Sequence, residues 1–296
     1  MSELVVDDVF VRSLLREQHP DLAFQEIQLA ATGWSNQLWR LGETLAVRLP
    51  RAAGTPGFVR KEQQWLPVLA PRLPLPVPTP VRIGEPSAQF PWPWSVVEWV
   101  PGEPGDRAPI TRTDHAADTL AGFLRALHRS APAEAPVSWT RGVPLAQVAP
   151  EFDTKFQAIA SIRVAGIVRA IWDDAVAAPA WQGPPVWLHG DLHPANIVVT
   201  DGTLAGVIDF GELCTGDPAT DLAAAWLLLP AGGAARFLGA YENADEATIR
   251  RARGWAVLRA VSLIGIGLAW KQGLPGGQPT WGPAGRRALD RILASR

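Results

Sequence analysis

The chain has 296 residues, 47% of them hydrophobic and 19% charged, which is enough to bury one large core or two modest ones and excludes a disordered, collagenous or coiled-coil polypeptide. Its 27 basic and 29 acidic residues leave a formal charge of -2, so no cationic excess exists for a phosphate backbone and nucleic acid is not an expected partner. The one cysteine, Cys214, excludes an intramolecular disulfide and a multi-cysteine zinc site, and points to thiol-free chemistry.

The opening MSELVVDD places acids where a secretory signal carries positive charge, so no export signal is expected and the protein reads as cytoplasmic. Apolar residues at 10, 11, 14 and 15 predict a helix over Asp7–Gln18, stopped by His19-Pro20. From Ile27 to Leu49 the apolar runs shorten and are separated by Gly33 and Gly42, the pattern of antiparallel strands. Lys61–Ala70 returns to helical spacing. The following PRLPLPVPTPVRIG is too poor in backbone donors to be a central strand over most of its length. Ser95–Val100 is a β-branched run that breaks at Pro101-Gly102.

Beyond that break, Asp114–Arg129, Phe152–Ala177 and most segments after Asp221 have helical periodicity. The expected class is therefore α+β and two-lobed, with a small strand-rich lobe over 1–100 and a larger, mostly helical lobe over 101–296. The apolar stretch Trp255–Trp270 spans 16 residues and is interrupted by Arg259, so it predicts a buried helix and no membrane span.

The stretch from Val186 to Asp221 carries the chemistry. Ile197–Val199 and Leu204–Ile208 are apolar runs joined across Thr200-Asp201-Gly202-Thr203, a hairpin signal that sets position 196 roughly opposite 207. Asn196 and Asp209 then emerge together at the open end. Asp191, on a loop with Gly190 and Pro194, can fold back toward the same end. A carboxylate, an amide oxygen and a second carboxylate form a donor set for a hard cation such as Mg²⁺, which brings phosphate oxygens with it. A carboxylate that is not a ligand can accept the proton of an attacking hydroxyl, which describes phosphoryl transfer to an alcohol. His128 and His193 read as hydrogen-bonded scaffold.

HGDLHPAN followed by IDFG resembles the H-G-D-x-x-x-x-N and I-D-[FW] signatures of the aminoglycoside phosphotransferase family, small-molecule kinases with a protein-kinase-like fold. The 13 residues from Asn196 to Asp209 fit the same pattern. The resemblance implies Asp191 as catalytic base, Asn196 and Asp209 as magnesium ligands, and His189 as a brace of the loop. Gly216-Asp217-Pro218-Ala219 with Asp221, Leu127-His128, and Glu62 through Leu66 resemble further family elements, and Asp217 and Asp221 are implied to tie the metal-binding segment to the next helix.

The same resemblance assigns the N-terminal lobe to the nucleotide. Ser35 and Asn36 sit where the strand turn should cover its phosphates, and Glu98 and Val100 where backbone groups should meet the purine edge. Arg48 stands where the family usually places a lysine, paired with a helix glutamate, here Glu62. The exchange keeps charge but changes geometry. The implied activity is transfer of the γ-phosphate of ATP or GTP, with Mg²⁺, to a hydroxyl of a small molecule of the aminoglycoside or macrolide antibiotic kind. A small hydroxylated metabolite is the alternative acceptor, and Arg48 with the missing glycine-rich pattern leaves open a regulatory nucleotide-binding pseudokinase. Residues 101–296 hold 19 acids and 18 bases, a poor field for a polycation. The 14 tryptophans could line a pocket for a partly apolar acceptor.

Overall fold

The computed structural model of the chain describes residues 6–33, 36–51, 56–160 and 163–295. It divides into two compact units, Met1–Pro71 with Pro76–Val100, and Arg72–Leu75 with Pro101–Arg296.

In the first unit, helix α1 (Asp8–Gln18) starts at Asp7, whose carboxylate accepts from Phe10 N at 2.8 Å, and it buries Val11, Leu14 and Leu15. These residues pack on a sheet of β1 (Ile27–Thr32), β2 (Asn36–Leu41), β3 (Leu45–Pro50), β4 (Pro80–Gly84) and β5 (Trp94–Glu98), ordered β1-β2-β3-β5-β4 and antiparallel throughout. The proline-rich connection contributes only β4, at the edge, where Pro80 removes no interior ladder bond. Helix α2 (Pro56–Leu69) begins five residues before the expected Lys61, because Pro56 and Gly57 fall in its first turn, where a missing N–H costs nothing.

The second unit contains a ribbon of β6 (Glu103–Pro104), β8 (Ile197–Thr200) and β9 (Thr203–Val207), and a pair formed by β7 (Val186–Leu188) and β10 (Cys214–Gly216). Its helices are α3 (Thr113–Leu127), α4 (Ala149–Phe156), α5 (Ala165–Ala177), α6 (Ala219–Leu222), α7 (Ala224–Leu227), α8 (Gly233–Tyr241), α9 (Glu246–Lys271) and α10 (Trp281–Ala294). The helix expected over Phe152–Ala177 is two helices. Phe152 and Ile159 share one buried face, whereas Ala165, Val168, Trp172 and Ala175 form another. At about 100° per residue the second stripe would lie about half a turn from the first in a continuous helix. The break lets both stripes face the core.

Helix α9 is 26 residues long, and by length and composition it could cross a membrane. Its apolar window is 61% buried, packed against α5, α6 and α10, which makes it the central helix of this unit.

The hairpin also differs in register. Asp201 and Gly202 both have positive φ, 50° and 73°, the two-residue turn that matches strand twist. Thr200 pairs Thr203 and Val199 pairs Leu204, but Val198 pairs Gly206 and Ile197 pairs Val207, so Ala205 is an extra residue in β9. The bulge moves the partner of Asn196 from 207 to Ile208, whose N–H donates to Asn196 O at 2.9 Å.

Candidate active site

The candidate site of the second unit is the loop after β7 together with the end of the hairpin. Gly190 has φ +80°, and a Cβ there would lie 2.6 Å from Glu212 O, so only glycine fits the bend. Asp221 holds the bend from behind: its two oxygens accept from His189 N at 2.7 Å and Gly190 N at 2.9 Å. His128 Nε2 lies 3.3 Å from the same carboxylate while its Nδ1 meets Tyr241 Oη at 2.8 Å. Asp221 therefore ties the loop itself, rather than the segment at Asp209, to the helical core. Asp217 has a separate role. It caps Ala219 N at 3.0 Å and forms a buried ion pair with Arg251 of α9 at 2.6 Å.

His189 is fully buried and links the two halves of the site. Its Nδ1 accepts from Asp191 N at 3.2 Å, so the proton sits on Nε2, which donates to Ile208 O at 3.0 Å. This imidazole is a spacer between loop and hairpin. Asn196 Nδ2 donates to Asp191 O at 2.9 Å and lies 3.3 Å from Asp191 Oδ2. Its amide nitrogen is thereby committed and Oδ1 is left as the acceptor. Asp209 follows Ile208 directly and adopts the left-handed conformation, φ 63° and ψ 70°, which Asp tolerates better than most residues. Asp191 and Asn196 are thus in contact, and Asp209 is one residue beyond the bond that joins Ile208 to Asn196.

Asp191 has a partner that the sequence did not reveal. Arg259 Nη2 lies 2.9 Å from Asp191 Oδ1 and donates to Gly190 O at 2.8 Å. His193 Nε2 stands 3.6 Å from Oδ2. Burial alone would raise the Asp191 pKa, but Arg259, His193 and, farther off, Arg141 outweigh it and hold the carboxyl well below the usual range. The Arg141 guanidinium is itself pulled down by burial and by Arg259, against Asp191, Glu212 and Glu151, and its Nε is buried without a hydrogen-bond partner. In the sequence Arg259 reads as an interruption of an apolar stretch. A charge inside an apolar helix needs a partner, and that was the available signal.

In the first unit, Arg48 of β3 is 7% exposed, and its Nε lies 3.1 Å from Glu62 Oε2 of α2. Gln63 fixes that helix to β5 through Trp94 O at 2.8 Å and Ser95 Oγ at 3.1 Å. Asn36 opens β2, and its carbonyl accepts from Gly33 N at 2.8 Å. Ser35 lies outside the described residues. Glu98 ends β5 with an exposed side chain, and Val100 is buried two residues on.

Among the described residues no group of three His, Cys, Asp or Glu side chains could hold a metal. An amide oxygen and a carboxylate, completed by water and phosphate, do fit Mg²⁺, which is seldom caged by protein alone. Six of the tryptophans belong to the core: Trp39, Trp94, Trp172, Trp187, Trp226 and Trp255 are all buried.

The sequence matches the family described as Phosphotransferase enzyme family over residues 26–260. No curated protein gives a significant sequence match. The fold is similar to that of wild-type aminoglycoside 2'-phosphotransferase-IIIa in its GDP complex, with 20% identity and TM-score 0.71 over 98% of this chain and 99% of that one. It is similar to the apoenzyme of macrolide 2'-phosphotransferase MphH from Brachybacterium faecium, at 22% identity and TM-score 0.60 over 94% and 98%. A streptomycin–ATP ternary complex of APH(2″)-IIa matches at 16% identity and TM-score 0.60 over 92% and 95%. At these identities the likeness is one of fold, and that fold is protein-kinase-like.

Proposed function

This chain belongs to the phosphotransferase enzyme family, and from that premise we propose that it moves the γ-phosphate of ATP or GTP to a hydroxyl of a small molecule. Asp191 is the base that accepts the hydroxyl proton. Asn196 and Asp209 would hold Mg²⁺, which neutralises phosphate charge when bound. Arg48, steadied by Glu62, is assigned to the nucleotide phosphates, as are the Ser35 and Asn36 backbone and side chains, and the chain from Glu98 to Val100 to the base. Chemistry that consumes a nucleoside triphosphate belongs in the cytoplasm, where the donor is made.

The observation that carries this reading is the state of Asp191: a carboxylate kept ionised by Arg259 and turned by Asn196, with 23% of its side chain open to solvent. A base ready to take a proton needs all three conditions. Arg259 and Arg141 beside that base disfavour a polycation, and of the nearby acids Glu151 is already paired with Lys155 at 2.6 Å. Within the antibiotic acceptors, the charge favours a largely uncharged, macrolide-type molecule over an aminoglycoside.

The test is coupled NTP consumption, with ATP and GTP separately, over aminoglycosides, macrolides and small hydroxylated metabolites. Asp191→Asn is expected to lose roughly 10²–10⁴-fold in kcat, the usual worth of a positioned base, with nucleotide binding retained as the check that the variant is folded. An Asp191→Asn enzyme with wild-type kcat would remove the mechanism. Nucleotide binding with no acceptor consumed would favour a regulatory module instead.

A further inference from the structure

Within the second unit a cavity of 440 Å³ lies between the turn after β6, Pro194 and Ile197 at the start of β8, the end of α7, and one face of α10. That volume suits a small organic ligand. Three guanidinium groups, Arg107, Arg287 and Arg291, line it against the single carboxylate of Asp106. Arg287 and Arg291 are four residues apart on α10 and so share a face.

Each wall is fixed. Gly105 N donates to Ile197 O at 3.0 Å, and Arg107 N and Ala108 N both donate to Pro104 O at 2.9 Å. Arg291 Nη1 is anchored on Trp226 O and Leu227 O at 3.1 and 3.0 Å, carbonyls that the end of α7 leaves without a helical partner. Burial and the like charge of Arg287 weaken the hold of Arg291 on its proton, against the opposing pull of Asp290. The side chains of Arg107 and Arg287 make no hydrogen bond or ion pair with any described residue.

Asp106 adds the second requirement. Its Oδ2 accepts from Thr280 Oγ1 at 2.5 Å, and its Oδ1 is buried with no hydrogen-bond partner. A buried carboxylate oxygen left in that state is costly until a donor arrives. The cavity is therefore lined by two exposed arginines without protein partners, Arg107 and Arg287, by Arg291 on its carbonyl anchors, and by one carboxylate oxygen that lacks a donor.

We propose that this cavity binds a small molecule bearing a carboxylate or phosphate group next to a hydroxyl or amine. The arginines take the anionic oxygens, for which a planar guanidinium is well matched. Asp106 Oδ1 accepts a hydrogen bond from the neighbouring donor. The anion site itself is independent of the phosphotransfer reading; the charged group belongs to a separate effector or, on that reading, to the acceptor of the reaction.

Isothermal titration of the full chain at low salt with inorganic phosphate, glycerol 3-phosphate and citrate tests it. One saturable site is expected, with glycerol 3-phosphate or citrate tighter than inorganic phosphate. The double variant Arg107→Ala/Arg287→Ala, which removes side chains without protein partners and should keep the wild-type unfolding temperature, is expected to bind at least roughly tenfold more weakly. Asp106→Asn should remove the preference for the hydroxylated probes while sparing inorganic phosphate. Absence of saturable binding to all three probes, or equal binding by the double variant, overturns the proposal. Where a probe binds, NTP consumption that it stimulates in wild type but not in Asp191→Asn identifies an acceptor, and binding without consumption identifies an effector. Loss of turnover in Asp191→Asn with anion binding intact separates the two readings.

Discussion

Arg259 shows how one side chain decides the state of another. It is a partly buried residue of an apolar helix, its side chain 13% exposed, a placement that a guanidinium tolerates only when its charge is answered. The same Nη2 meets the Asp191 carboxylate and the Gly190 carbonyl, so it fixes both the charge and the position of that carboxylate. Arg259→Met is expected to lower kcat by roughly 10–100-fold through misplacement of the carboxylate, with the KM for nucleotide nearly unchanged, and Arg259→Lys should recover part of the loss. Steady-state kinetics of the two variants checks this. A proportional rise in KM with kcat preserved would make Arg259 a substrate contact instead of a positioning residue.

At the level of elements, α9 organises the second unit: it carries Arg259 to the loop and Arg251 to Asp217. Its start is fixed by Asp245, whose carboxylate accepts from Thr248 N at 2.7 Å. Hydrogen bonds from the Thr248 side chain and backbone hold the Asp245 carboxyl below its ordinary value. A folded-state pKa below the unfolded one stabilises fully above the unfolded pKa of about 4 and is lost as pH falls through the folded value. Asp245→Ala is expected to cost about 1 kcal/mol at pH 7, the common worth of an N-cap. In urea melts at pH 7 and pH 3 the gap between wild type and variant should narrow at the lower pH. An equal gap at both would show that the charge contributes nothing. The hairpin that brings Asn196 toward Asp209 was legible because its apolar runs and Asp-Gly turn are contiguous. The one-residue slip at Ala205 was not, since Ala-Gly carries no side-chain signal for a bulge.

Across the whole molecule, what the sequence exposed was local and what it concealed was distant. The convergence of residues 189 to 209 could be read because the motif is compact and its turn residues have strong conformational preferences. Asp191's partner sits far along the chain, and a periodic pattern carries no information about which helix faces which loop. The separation into strand-rich and helical parts was visible as a change of period, whereas the break between α4 and α5 appeared only once two buried stripes had to face one core. Cys214 gives a global probe of how tightly these pieces hold. It is fully buried in β10 opposite Leu188 of β7, directly behind the bend at Gly190. Labelling of its thiol by a water-soluble disulfide reagent must then wait for β7 and β10 to open, and native protection of roughly 10³-fold or more over the unfolded chain is expected from ordinary domain stability. Gly190→Ala strains the same place: φ is +80°, the new Cβ meets Glu212 O, and Cys214 Sγ lies only 3.5 Å away. A left-handed non-glycine residue with a backbone contact costs roughly 2 kcal/mol, so labelling should accelerate about thirtyfold when opening is faster than reaction. Rapid stoichiometric labelling of the native wild type, or an unchanged rate in Gly190→Ala, would mean that the bend and the strand pair behind it are not one cooperative unit.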